Sequence, residues 1–460
     1  MWKPLRLATV AGPLTPSFLS TARAKRPSQP GLTSTSYIDG LRGYAAVIVV
    51  IFHTSLIYSS NIVFFSYGFE GNNRNLLQLP IVRLLFSGHS MVSMFFVLGG
   101  YVNALKPLSL IRSGNLADLA PALSSRLLRR VVRLCIPPLV STLAIAITLY
   151  LGLWEPARQN LPLLRFTDGF PSRQDTLAAE LYNWYCEMVK LFNLAAEPYF
   201  SDYDNHLWTV PTELRGGLVL AVVLLMAARC TTRGRLVLLT LLAAYMVGCG
   251  RWEIALYIAG AGLAELDMMR PRSSSSSPVL ATLPCAAKKP NTGLSLQERK
   301  PRYVRLALLT LTSLLLLSCP SEALDRTPGY RHLLKVVPAS LSAVPFRFIH
   351  GVGAILAVYT LSQSKTLQKP FTSSLSQYLG SISFSLYIVH GPVLHIISYA
   401  LVPALWRIIG QGTDFRYNLA VFAGNGLAYL ILLWIADLFY THVDMSAVKL
   451  SRQFEQAVTT

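Results

Sequence analysis

The sequence predicts an all-α protein, a multi-pass transmembrane bundle of about ten helices, and three observations carry that expectation. Apolar stretches recur along the 460 residues, each close to the roughly 17 to 25 residues that a bilayer core requires. Charged residues make up only 14% of the chain against 52% hydrophobic, where a soluble protein would hold about a quarter charged residues. Basic side chains gather at the exit of every second stretch.

The stretches lie near residues 42–61, 82–104, 133–153, 213–230, 235–250, 252–268, 304–320, 346–363, 377–401 and 417–440. Arg112, Arg126, Arg129 and Arg130 follow the second, Arg229, Arg233 and Arg235 the fourth, and Arg270, Arg272, Lys288 and Lys289 the sixth. Lys365 and Lys369 follow the eighth, and Lys449 and Arg452 the tenth. Under the positive-inside rule these exits, and with them both termini, lie in the cytosol. The complementary loop over 154–212 is acidic, with Glu155, Asp175, Glu180, Glu187 and Asp204 among its carboxylates, and reads as non-cytosolic. Only Gly250 and Arg251 divide the fifth and sixth stretches, which makes them a tight or re-entrant pair.

Three further segments frame the membrane domain of residues 37–440. Residues 1–36 lack acidic side chains and carry Lys3, Arg6, Arg23, Lys25 and Arg26; they read as a disordered basic tail, with a composition that overlaps transit peptides and no secretory signal ahead of Arg42. Residues 269–303, with Ser273 to Ser277 in a row, have too little apolar surface to fold alone and read as a flexible cytosolic linker. Residues 441–460 read as a cytosolic tail.

Several function classes drop out. The net charge is +19, but the basic residues are scattered between apolar segments, so the partner they imply is a lipid bilayer and not nucleic acid. The six cysteines form no CxxC or Cys/His set, so neither a disulfide framework nor a zinc site is expected. HExxH, P-loop, GxGxxG and GxSxG patterns are absent, and with them the support for a resident metal, a dinucleotide or a serine hydrolase.

The residues that invite chemistry begin in the run YIDGLRGYAAVIVVIFH, where Asp39 and Arg42 stand at the mouth of the first apolar segment and His53 deep inside it. Ionisable groups inside a membrane are costly and tend to be functional. At about 100° per residue Arg42 and His53 share one helix face, about 16 Å apart along the axis, as two stations on one path. With an ordinary pKa of about 6.5, an imidazole suits general-base work near neutral pH; the plainer role for His53 is an interhelical hydrogen-bond partner. Glu213 opens the fourth segment on the same half of the membrane, either orienting that imidazole or resting at the interface beside Trp208. Arg130 and Arg133 share a face at i and i+3, and guanidinium forks bind phosphate oxygens; membrane anchoring accounts for either arginine equally well. His390, in LYIVHGPVL, is a second proton or substrate contact or a packing histidine, while His89, His206, His350, His395 and His442 lack comparable context.

The string IDGLRGYAAVIVVIFH, with arginine and histidine separated by ten residues, resembles the opening signature of the acyltransferase 3 family of integral membrane acyltransferases. MFFVLGGYV, RRVVRLCIPPL, LWTVPTE and LGSISFSLYIVHGPVL are similar, in order, to its later motifs, so the resemblance runs from residue 37 to about 440. Gly99 departs from it, standing where the family usually has serine. The resemblance implies transfer of an acyl group, commonly acetyl, from acyl-CoA to a hydroxyl acceptor, with acyl-CoA a donor substrate and no permanently bound cofactor. It makes His53 the base, Glu213 its orienting carboxylate, and Arg42, Arg130 and Arg133 the donor-binding residues. By analogy with filamentous-fungal relatives the acceptor is a secondary metabolite or a glycan, and the membrane an endomembrane or the plasma membrane. A transporter or proton-coupled carrier that uses the intramembrane His and Glu as a relay is the alternative, and a non-catalytic scaffold a third reading.

Overall fold

A computed structural model describes residues 32–167, 169–270 and 296–459. Among them are thirteen α-helices of eleven residues or more and no strand. In chain order these are α1 (Ser36–Phe64), α2 (Gly88–Arg112), α3 (Leu119–Tyr150), α4 (Leu177–Leu191), α5 (Thr209–Met226), α6 (Thr232–Gly248) and α7 (Trp252–Met268). They continue as α8 (Leu296–Leu317), α9 (Pro345–Gln363), α10 (Ser374–Val393), α11 (Tyr399–Ile409), α12 (Asp414–Phe439) and α13 (Met445–Val458).

Every apolar stretch read from the sequence falls on a helix, and among the described residues six helical stretches are long and apolar enough to cross a membrane. These are α1, α2, α3, Asn205–Arg229, Ser374–Ile409 and Asp414–Val458. The expected count of about ten is thus met only in part. Helices α6 and α7 have 17 residues each, about 26 Å at 1.5 Å per residue, which falls short of a hydrocarbon core of about 30 Å.

The basic tail over 1–36 and the linker over 269–303 lie largely outside the described residues. Within the linker's expected range α8 already begins at Leu296. The terminal segment is no loose tail among its described residues. It leaves α12 through a π-helical turn, Tyr440–Asp444, and forms α13, which packs on α3.

Helix α1 packs between α10 and α2, and α2 in turn packs on α7, α9 and α5. Helix α8 lies on α9, α6 on α7, and α12 on α10 and α11. Where the arginines gather, Glu265 is fully buried and pairs with Arg235 at 2.7 Å and Arg112 at 3.2 Å. That pairing ties α7 to α6 and α2, and a buried acid is tolerated only with such partners. A second π-helical turn, Leu394–Ser398, follows Pro392; proline supplies no N–H to the helix ladder and disturbs its register, and π turns recur at functional sites.

At the opposite end, residues 151–167 and 169–208 form a structured insertion around α4. Its anchor is Glu187, whose carboxylate accepts from Lys190 Nζ at 2.9 Å, Tyr199 Oη at 2.8 Å and the Asp202 N–H at 3.2 Å. Burial pushes this carboxyl up, but those hydrogen bonds more than offset it and hold it below the usual range. A depressed native pKa stabilises at pH above the unfolded value of about 4.3, and the contribution disappears as pH falls through the native one. Protease nicking between residues 192 and 203 is therefore expected to rise as pH drops below about 4. Glu187→Ala is expected to raise it at neutral pH, with a loss of about 2 kcal/mol from the missing charged hydrogen bonds; limited proteolysis with mass spectrometry checks both.

Candidate active site

Arginines line a cavity between α1, α2, α3 and α13: Arg42, Arg126, Arg129, Arg130, Arg133 and Arg452. The expected donor residues Arg42, Arg130 and Arg133 all face it. Each guanidinium is held differently. Arg130 donates through Nη2 to Glu213 Oε1 at 2.7 Å and Tyr257 Oη at 2.8 Å, and through Nη1 to Asn103 Oδ1 at 3.1 Å. Arg129 and Arg133 reach carboxylates of the terminal segment, Glu455 at 3.2 Å and Asp444 at 3.6 Å. Arg42 makes no ion pair among the described residues.

Gly99 has a physical reason here. A Cβ at that position would stand 2.5 Å from Tyr257 Oη, so only glycine admits the tyrosine whose hydroxyl meets Arg130. A hydroxyl is thus delivered to this arginine from α7.

A second, much narrower cavity adjoins the first and shares Arg42, Glu213 and Phe384 with it. Its walls include Phe95, Phe96, Thr209 and Tyr387. Thr209 Oγ1 donates to Tyr387 Oη at 2.7 Å, and Tyr387 Oη donates to the His206 carbonyl at 2.8 Å. These two bonds clamp the start of α5 to α10.

Beyond Tyr387 three imidazoles converge. His53 comes from α1, His390 from α10 and His206 from the turn of 3-10 helix that leads into α5. His206 Nε2 lies 3.2 Å from His53 Nδ1, and His206 Nδ1 lies 2.7 Å from the buried carboxylate of Asp204. His390 Nδ1 donates to the Tyr387 carbonyl at 2.6 Å. One nitrogen from each ring lies within 4.8 Å of the other two, close enough to surround a single small cation.

The structure separates the two residues expected to work together as base and orienting carboxylate. Glu213 turns toward α3 and α7 and binds Arg130 in the arginine-lined cavity, whereas the side chain that reaches His53 is His206. The acid nearest that chain is Asp204. The helix explains the difference: it starts at Thr209, four residues before Glu213, so Glu213 sits one turn inside the bundle and faces the neighbouring helices.

The sequence alone singles out neither His206 nor Asp204, and it favours a packing role for His390. One signal was available. Asp204 and His206 stand two apart and immediately precede LWTVPTE, and Asp at i with a side-chain acceptor for the i+2 N–H is a common turn. That bond exists, from the His206 N–H to Asp204 Oδ1 at 3.0 Å. The convergence of three histidines 153 and 184 positions apart has no local signature.

A family model described as an acyltransferase domain (acyltransferase 3) matches residues 35–440. O-acetyltransferase PaAT-1 of Phomopsis amygdali is 30% identical over 465 residues, covering 98% of this chain and 89% of that protein. Acyltransferase R4 of a Phoma species is 26% identical over 470 residues, covering 91% and 95%. Acyltransferase clz18 of Cochliobolus lunatus is 25% identical over 435 residues, covering 86% and 90%. No solved structure matches. Nothing in these relatives supports the carrier reading. A match over residues 35–440, together with six helices able to span a bilayer, means that the chain belongs to the acyltransferase 3 family and is a membrane O-acyltransferase.

Proposed function

We propose that the protein moves an acetyl group from acetyl-CoA, entering from the cytosol, to a hydroxyl of a secondary metabolite or glycan. The observation that carries this reading is the pair of adjoining cavities: one lined by six arginines, the other lined in part by Tyr387, whose ring centre stands 5.5 Å from that of His390. Phosphates of the donor suit the first. Arg42, Arg130 and Arg133 bind them, and Arg126, Arg129 and Arg452 add to the same positive field; guanidinium forks match phosphate geometry. The acyl-bearing arm suits the narrower second cavity, whose wall includes Phe95, Phe96, Phe384 and Tyr387.

His53 then acts as the general base. Its Nε2 takes the acceptor hydroxyl proton as the oxygen attacks the thioester carbon. The C–S bond breaks, and the same nitrogen returns the proton to the leaving thiolate, which departs as free CoA. Glu213 serves the donor side, holding Arg130 in place at the junction of the cavities.

Acetyl as the transferred group is supported by the name of PaAT-1. The basic exits of alternate helices support a multi-pass topology with both termini in the cytosol, in an endomembrane or the plasma membrane. On this reading residues 37–440 form the transferase domain, and the arginine cavity opens to the cytosol, where acetyl-CoA is made.

Two outcomes follow. In a deletion strain, wild-type protein is expected to restore a metabolite heavier by one acetyl group, and His53→Ala, present in membranes at the same level, is expected to fail. The loss of a general base costs about 10²- to 10⁴-fold, so restoration at the wild-type rate contradicts the base assignment. In purified protein, Arg133→Gln is expected to weaken CoA binding about tenfold, equivalent to about 1.4 kcal/mol. Calorimetry with CoA and dephospho-CoA checks this, and equal affinity in variant and wild type contradicts the arginine cavity as donor site.

A further inference from the structure

The arrangement around His53 says more than that a base is present: it determines which of its two nitrogens carries the proton. In a neutral imidazole one nitrogen donates and the other accepts, and the hydrogen bond at one sets the state of the other. Two of the three rings have a nitrogen pinned by a group that can only accept. Asp204 Oδ1 stands 2.7 Å from His206 Nδ1, and the Tyr387 carbonyl 2.6 Å from His390 Nδ1. Both Nδ1 atoms are therefore protonated, and in the neutral rings both Nε2 atoms present lone pairs.

His53 Nδ1 lies 3.2 Å from the His206 lone pair at Nε2. Two lone pairs at that distance repel, so the proton between the rings belongs to His53. We propose that Asp204 and His206 are positioning residues that lock His53 in its Nδ1–H tautomer. The lock keeps His53 Nε2 unprotonated, as a base requires. An unconstrained imidazole prefers the opposite tautomer, with the proton on Nε2. When Nε2 takes the acceptor's proton, the new positive charge is shared along the chain His53, His206, Asp204 and faces a buried carboxylate.

A third observation points the same way. Gly391 follows His390, and a Cβ there would stand 2.7 Å from His206 Nδ1 and 3.1 Å from Asp204 Oδ1. The glycine lets α10 close over the Asp204 and His206 pair. The clamp from Thr209 through Tyr387 to the His206 carbonyl holds the same segment from the other side. Backbone, glycine and tyrosine all serve the placement of a ring that, on the reading above, touches no substrate itself.

This inference rests on His53 as the base, but its test needs neither donor nor acceptor, so the two can fail separately. The full chain, labelled with ¹⁵N-histidine and reconstituted in bilayers, is observed by solid-state NMR, with the His53 signals assigned by their loss in His53→Asn. Nδ1–H and Nε2–H imidazoles, and metal-bound ones, have distinct nitrogen signals. The expected result is His53 with Nδ1 protonated. His206→Leu is expected to return it to the Nε2–H form. His206→Gln is expected to keep the Nδ1–H form, because Asp204 accepts from the amide NH₂ and turns the amide oxygen toward His53. Gly391→Ala removes no polar group and is expected to release the lock by displacing His206. A wild-type His53 with the proton on Nε2, a doubly protonated His206, or a stoichiometric metal found by elemental analysis with all three rings in metal-bound form would each overturn the proposal. So would an unchanged His53 tautomer in His206→Leu protein that remains monodisperse in detergent.

Discussion

The contact on which the rest of the site depends is the 2.7 Å bond between Asp204 and His206. Both groups are buried, so neither is solvated by bulk water, and a carboxylate in that setting is tolerated only when it is hydrogen-bonded. Asp204 meets the requirement by accepting from the His206 backbone N–H and ring through the same oxygen. The turn before α5 is fixed in consequence, which places His206 against His53 on α1 and sets the starting point of α5. From that starting point follow Thr209, which reaches Tyr387, and Glu213, which reaches Arg130. One short stretch of chain, residues 204–213, thus touches both the histidine cluster and the donor-side arginines.

The two charged regions are kept apart for a physical reason. A carboxylate beside both Arg130 and His53 would be drawn to the permanent cation, because the guanidinium is charged at any working pH and the imidazole is not. Glu213 is committed in this way. Using a separate acid, Asp204, behind His206 avoids the competition and leaves Arg130 paired with Glu213. The terminal helix α13 adds to this division. Its Glu455, with Asp444 at the turn before it, balances Arg129 and Arg133 at the arginine-lined cavity; on the proposed function, these are the guanidinium groups for which the donor's phosphates would compete.

Much of this fold was legible in the sequence because membrane helices announce themselves locally. Apolar length identifies α1, α2 and α3 without reference to any partner, and the basic exits order them. The pair α6 and α7 was harder, since Gly250 and Arg251 alone divide them and each helix is short for a bilayer. Helix α13 was missed because its amphipathic pattern, with Lys449, Arg452 and Glu455 among apolar residues, looks like a charged tail until α3 is there to cover it. Arg42, Arg130 and Arg133 stand out in the sequence as basic residues at a segment's end, and His53 as a histidine in a long apolar run. His206 and Asp204 lie in the polar insertion, where a histidine and an acid attract no notice, and only the packing of α1, α5 and α10 brings them to His53. The expected partnership of Glu213 with His53 rested on shared depth in the membrane, and depth does not say which neighbour a side chain faces.

The proposed transfer requires a single path from the arginine cavity to His53 past Tyr387. A structure of the protein with a non-hydrolysable acetyl-CoA analogue would reveal that path. Phosphate density is expected against Arg130 and Arg133, and the acyl carbon within about 4 Å of the His53 ring, in near-attack geometry. Phosphates bound elsewhere, or an acyl group that ends short of Tyr387 with the path behind it closed, would contradict it.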